Sequence, residues 1–139
     1  MNRDLFINKR QSIRACLERV RLKHAGGRSS LADLDRREII LLNLQRACEL
    51  SIDLAMHAVA SRSAGIPQDS RDAFRLLEQA GVLGADLSRR LQRMVGFRNV
   101  AVHQYREIDL DVLGGILDNN LDDFEDFLEA LAPLARPHA

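Results

Sequence analysis

Tryptophan is absent from this chain of 139 residues, tyrosine occurs once, and aromatic residues make up 4% of it. A core must therefore be filled by aliphatic side chains, which are plentiful in a chain that is 46% hydrophobic. Proline is confined to Pro67, Pro133 and Pro137, so long segments run without a helix breaker. No stretch alternates apolar and polar residues with the period of two that a half-buried strand needs. The two cysteines, Cys16 and Cys48, lack metal or redox spacing and sit among apolar neighbours. They read as small core residues in a reducing compartment. The first residues, MNRDLFINKR, hold no apolar leader, and no run approaches membrane-span length. The expected location is the cytoplasm, with no membrane contact.

Several chemistries lack their signatures. GADLSRR departs from the phosphate-binding glycine-rich loop. His24, His57, His103 and His138 have no metal-ligand spacing, and no Glu-x-x-His pair occurs. No metal or other cofactor is expected, and no Ser–His–Asp pattern stands out. The i,i+4 pair Asp53–His57 reads as structural.

Formal net charge is zero, but its distribution is uneven. Residues 1–30 carry eight Lys or Arg against Asp4 and Glu18, whereas Glu107 to Glu129 carry nine acids and no base. Such blocks are usually solvated helix faces. The functional alternative is a basic surface for phosphates and an acidic one for a partner or second copy.

Apolar periodicity predicts helices throughout a single domain, residues 1–139. The first spans about Arg3 to Lys23, with Phe6, Ile13, Leu17 and Val20 on one stripe, and AGGRSS ends it. The second spans about Asp35 to Arg62 behind a cap at Asp33 or Asp35. Its apolar residues cover most of its circumference, so it must bury more than one face, either as a central core helix or against a second copy of the chain. A short third helix starts at Asp69 or Ser70 and ends near Ala80. A fourth begins at Gly84 to Asp86. A fifth opens at Asp109 and steps by three and four from Leu110 through Leu121 and Phe124 to Leu131, ending at Pro133. Short loops between long helices predict an all-α, antiparallel up-and-down bundle of four long helices and one short one.

The fourth helix carries an anomaly. At about 100° per residue, Leu87, Leu91, Met94, Val102 and Tyr105 all fall within about 40° of Arg98. A permanent cation therefore occupies a core stripe. Buried without a partner it would cost several kcal/mol, so either the stripe opens onto a cleft or interface or a carboxylate meets it, for which Asp53 is the candidate. Asn99 and His103 lie four residues apart on the adjoining shoulder. The group collects a planar cation suited to phosphate oxygens in Arg98, a base or acid near neutral pH in His103, an orienting amide in Asn99 and a modifiable hydroxyl in Tyr105.

The sequence R-N-x-x-x-H-x-Y at 98–105 resembles the signature of the HepT-like toxins of the HEPN superfamily. RACELSIDLAMHAVA on the second helix, AFRLLEQAGVL on the third and LQRMVGFRNVAVHQY on the fourth extend the resemblance from about Leu41 to Leu131. It implies a homodimeric helical bundle that brings two Arg–His motifs to one cleft. It implies a toxin that is a metal-independent endoribonuclease, with Arg98 and His103 catalytic. It also implies an MntA-like nucleotidyltransferase antitoxin that silences the toxin by AMPylation of Tyr105, in a dimer or a larger toxin–antitoxin assembly. The rival reading is a non-catalytic helical partner that binds nucleotides or presents substrate to a nucleotidyltransferase.

Overall fold

The structure, a computed structural model, describes residues 1–103 and 108–135, with His103 described by its backbone alone. Six α-helices occur among these residues: α1 (Arg3–Lys23), α2 (Leu34–Arg62), α3 (Ser70–Gln79), α4 (Ala85–His103), α5 (Leu110–Asn119) and α6 (Asp122–Leu131). Short 3₁₀ segments cover Gly27–Ala32 and Ala132–Leu134.

Side-chain caps set the starts. Asn2 accepts from the Leu5 amide, Asp33 from Arg36, Asp69 from Asp72, and Asp109 from Asp111 and Val112. Each satisfies an amide that has no partner inside its helix. At the far end of α3 the chain turns through Gly81, whose φ of 77° lies in the left-handed region that glycine tolerates.

The α1 stripe of Phe6, Ile13, Leu17 and Val20 is fully in the core, as its spacing predicts. It packs along α2, and the two run antiparallel: the amino terminus donates to Ser61 Oγ at 2.7 Å, and Lys9 reaches Asp53 at 2.8 Å. Helix α2 is the central element. Helices α1, α3, α4 and α6 all contact it, and it buries residues from Ile40 and Leu41 on one side to Leu54, Ala58 and Val59 on others. Its second apolar face is therefore covered within the subunit, and the density of α2 alone gives no reason for a dimer. Phe74 of α3 and Phe127 of α6 meet edge to face, centroids 5.5 Å apart.

The expected fifth helix is two. It breaks at Asn120, which leaves the helical region at φ −121°, ψ 2°. The sequence there is Asp-Asn-Asn, three residues with weak helical preference whose side chains compete for backbone groups. Asn120 uses its amide to donate to the Asp123 carboxylate at 3.1 Å.

Candidate active site

Helix α4 runs without interruption through Gly96 to His103, so the register of Arg98, Asn99 and His103 follows the regular helix. Upstream, Leu91 and Val95 are fully buried. Ala101 is buried, while Val100 and Val102 on either side of it are 41% and 43% exposed. The apolar stripe leaves the core at Arg98.

Arg98 meets a carboxylate there, and it is Glu49 rather than Asp53. Its Nη1 donates to Glu49 Oε1 at 2.9 Å, and its Nη2 to Ser70 Oγ at 3.2 Å. Asp53 lies one turn further along α2, where Lys9 of α1 reaches it at 2.8 Å and His57 Nε2 stands 3.7 Å away. The reason is the level at which α4 meets α2: Arg98 comes level with Glu49, and Lys9 of α1 takes Asp53 one turn on. The carboxylate that meets Arg98 is therefore Glu49. The Arg98 side chain is 20% exposed, and its Nε is buried without a hydrogen-bond partner among the described residues. The cation is thus fixed by two partners, carries unused donors, and still touches solvent.

Asn99 is exposed on the adjoining face. The His103 backbone forms the last turn of α4; its imidazole, and all of Tyr105, lie outside the described residues. Two residues that hold Arg98, Glu49 and Ser70, and the Arg71 that packs on the same helix at Gly96 were not singled out by the sequence. The i,i+4 spacing of Glu49 and Asp53 places both acids on the same side of α2, which is the signal that could have nominated Glu49.

On the other flank of α4 lies a half-open apolar cavity of about 600 Å³, lined by Met94, Phe97, Val100, Val112, Ile116 and Phe124 among others. The buried Asp123 carboxylate also faces it, paired with Arg90 at 3.2 Å. Among the described residues, no three His, Cys, Asp or Glu side chains gather into a metal-binding group. Burial, then the Glu49 charge, pushes the Cys48 thiol far above its ordinary range, and burial raises Cys16 as well. Cys48 is a buried core thiol, and Cys16 is half-buried against the core.

The basic front and acidic back of the chain face each other. Arg14 forms a two-pronged pair with Glu125 at 3.0 Å, Arg21 approaches Asp122 at 3.7 Å, and Arg28 reaches Asp118 at 2.9 Å and Asp111 at 3.8 Å. His24 bridges Ser30 and Asp118. Arg14, Arg21 and Arg28 thus tie part of the basic block to the acidic one within the subunit, at partly exposed positions.

Known proteins share both the sequence and the arrangement. A family model described as ribonuclease HepT-like matches residues 13–131, so the resemblance reaches well before Leu41. The chain is 40% identical over 128 residues to the mRNA nuclease HepT of Shewanella oneidensis, covering 92% of this chain and 96% of that one. Its fold matches a tri-AMPylated Shewanella oneidensis HEPN toxin solved in complex with an MNT antitoxin, with a TM-score of 0.89 and 40% identity over 96% of this chain and 99% of that one. A toxin–antitoxin structure with AMP-PNP matches with a TM-score of 0.89 and 38% identity, over 94% and 98% of the two chains. This chain belongs to the HepT-like ribonuclease family.

Proposed function

We propose that the chain is the toxin of a toxin–antitoxin pair, an endoribonuclease that cuts RNA through Arg98 and His103 at a cleft between two subunits. The observation that carries this reading is the Arg98 guanidinium, stationed where the α4 stripe leaves the core, partly open to solvent and just over one turn before His103.

RNA supplies its own nucleophile, the 2′-OH beside each phosphate. In the proposed reaction His103 takes the 2′-OH proton as the 2′-oxygen bonds to phosphorus. The bond from phosphorus to the 5′-oxygen breaks, and the partner subunit's His103 protonates that leaving oxygen. Arg98 neutralises charge on the phosphorane, a type of contact commonly worth about 10²–10³-fold in kcat. Asn99, exposed on the same side, orients the imidazole or the substrate. Products are a 2′,3′-cyclic phosphate and a 5′-OH. No step needs a metal, because the nucleophile, base, acid and counter-charge are all at hand.

The same reading assigns the control. An MntA-like nucleotidyltransferase would transfer AMP to the Tyr105 hydroxyl, two residues beyond His103; that a similar toxin is known in a tri-AMPylated form supports the modification, and the motif supplies the residue. The adduct places a phosphodiester anion and a base in competition with RNA for Arg98.

The test incubates purified wild-type, His103→Ala and Arg98→Ala protein with total RNA in excess chelator and maps the new ends. Wild type should yield cyclic-phosphate ends, and each variant should be slower by about 10²-fold or more. Undiminished cleavage by His103→Ala protein sinks the assignment. Growth arrest on expressing the chain alone separates a toxin from a non-catalytic partner of the nucleotidyltransferase. Tyr105→Phe should still arrest growth, and should gain no mass when co-expressed with the antitoxin.

A further inference from the structure

Arg71, in the first turn of α3, has no part in the motif, yet it lies against α4 at a telling place. A Cβ built on Gly96 would stand 2.5 Å from Arg71 Nη2, so the guanidinium occupies the space that any side chain at 96 would need. Gly96 is in the middle of a helix, where glycine is less favourable than any other residue except proline. Its presence leaves room for the arginine.

By register, Gly96, Asn99 and His103 fall on one stripe of α4, spaced by three and four residues, with Gly96 about 10 Å along the axis from His103. Arg71 therefore covers the start of the stripe that ends at His103. Its neighbour Ser70 accepts the hydrogen bond from Arg98 Nη2, so Ser70 joins the two arginines. Arg71 is exposed and, among the described residues, makes no ion pair or hydrogen bond. The carboxylate on Arg98 is Glu49. The result is two cations tied to one turn of α3, Arg98 partly compensated by Glu49 and Arg71 exposed against Gly96.

The geometry points to Arg71 as a second phosphate-binding residue, which grips the RNA backbone beside the scissile phosphate from its seat over Gly96. This rests on the ribonuclease reading above and adds to it a substrate contact outside the motif. A contact to a neighbouring, non-reacting phosphate binds the ground state and the transition state alike. Its loss raises KM and leaves kcat nearly unchanged.

The experiment measures cleavage of a fluorescent single-stranded RNA by full-length wild-type, Arg71→Ala, Arg71→Lys, Gly96→Ala and the Arg71→Ala/Gly96→Ala double variant. Binding of the same RNA is measured in the His103→Ala background, where substrate survives. Arg71→Ala should raise KM by about five- to tenfold with kcat within about twofold, and should lower the slope of log affinity against log salt by about 0.7, the share of one phosphate on a single strand. Arg71→Lys keeps the charge and should recover most of the affinity. Gly96→Ala should push the guanidinium aside and raise KM in the same direction, with a melting temperature equal to or above wild type because alanine favours the helix. The double variant should be no worse than Arg71→Ala alone, because both changes remove one contact. Additive losses, an unchanged KM and salt slope in Arg71→Ala, or a fall in kcat equal to the fall in kcat/KM would each overturn the assignment while the ribonuclease reading stands. Wild-type protein that neither cleaves nor binds RNA removes both.

Discussion

At Arg98 a permanent charge takes a position that three turns of apolar residues upstream reserve for a hydrophobe. Among the described residues its Nε is buried without a partner, a burden that no packing need explains. Arg98→Leu should therefore raise stability by about 1 kcal/mol while abolishing cleavage, the exchange expected where a site holds a residue that packing disfavours. Thermal melting checks it; a lower melting temperature for Arg98→Leu contradicts it. At the core the sign is opposite. Leu91→Ala, at a fully buried α4 position, should cost about 2–5 kcal/mol. The sequence shows Arg98, Asn99 and His103 as a group because all three share one continuous helix, whose register is local. It does not show Glu49, Ser70 or Arg71, because their nearness depends on how α2 and α3 cross α4. The choice between Glu49 and Asp53, one turn apart on the same helix, is invisible without that crossing.

Among the elements, α3 is short and depends on its start. Asp69 accepts from the Asp72 amide, and Asp72 accepts from the Gln68 amide and Arg75. Asp69→Ala should cost about 1 kcal/mol in chemical denaturation. It should also weaken cleavage, since the same turn carries Ser70 to Arg98. The ion pairs that join α1 and the first 3₁₀ segment to α5 and α6 add a pH dependence. Hydrogen bonds from His24 and then Arg28 hold the Asp118 carboxyl below its ordinary range, and those from Arg14 do the same for Glu125. A carboxyl with a lowered folded pKa stabilises the fold above its unfolded value, about pH 4, and loses that contribution as pH falls through the folded value. Melting temperature should therefore drop as pH falls below about 4, and Glu125→Gln should flatten the drop. Capping residues and turn glycines were legible, because caps act within four residues. The break at Asn120 was not. The spacing Leu117, Leu121, Phe124 continues across it in phase, so apolar periodicity passes over the interruption.

For the whole molecule, the open question of assembly turns on the surface beyond α4. Val100 and Val102, in the last turn of α4 before His103, and Leu110 and Val112 at the start of α5 are exposed. A cleft between two subunits would cover such residues. Val102→Glu should give a monomer by sedimentation and lose cleavage together, whereas Leu22→Glu, on α1 at 66% exposure, should leave both unchanged. A Val102→Glu dimer that still cleaves would refute the shared cleft.

The sequence by itself determined the helical class, the starts of α1 to α5, the central apolar helix and the family, because each depends on short-range spacing and on a motif carried by one helix. Tertiary structure decided which charges meet. It paired Arg14, Arg21 and Arg28 of the basic front with the acidic back within one subunit, chose Glu49 over Asp53 for Arg98, and seated Arg71 over Gly96. Those outcomes follow from the crossing of packed helices, which depends on the fit of whole side-chain surfaces and is written in no single segment.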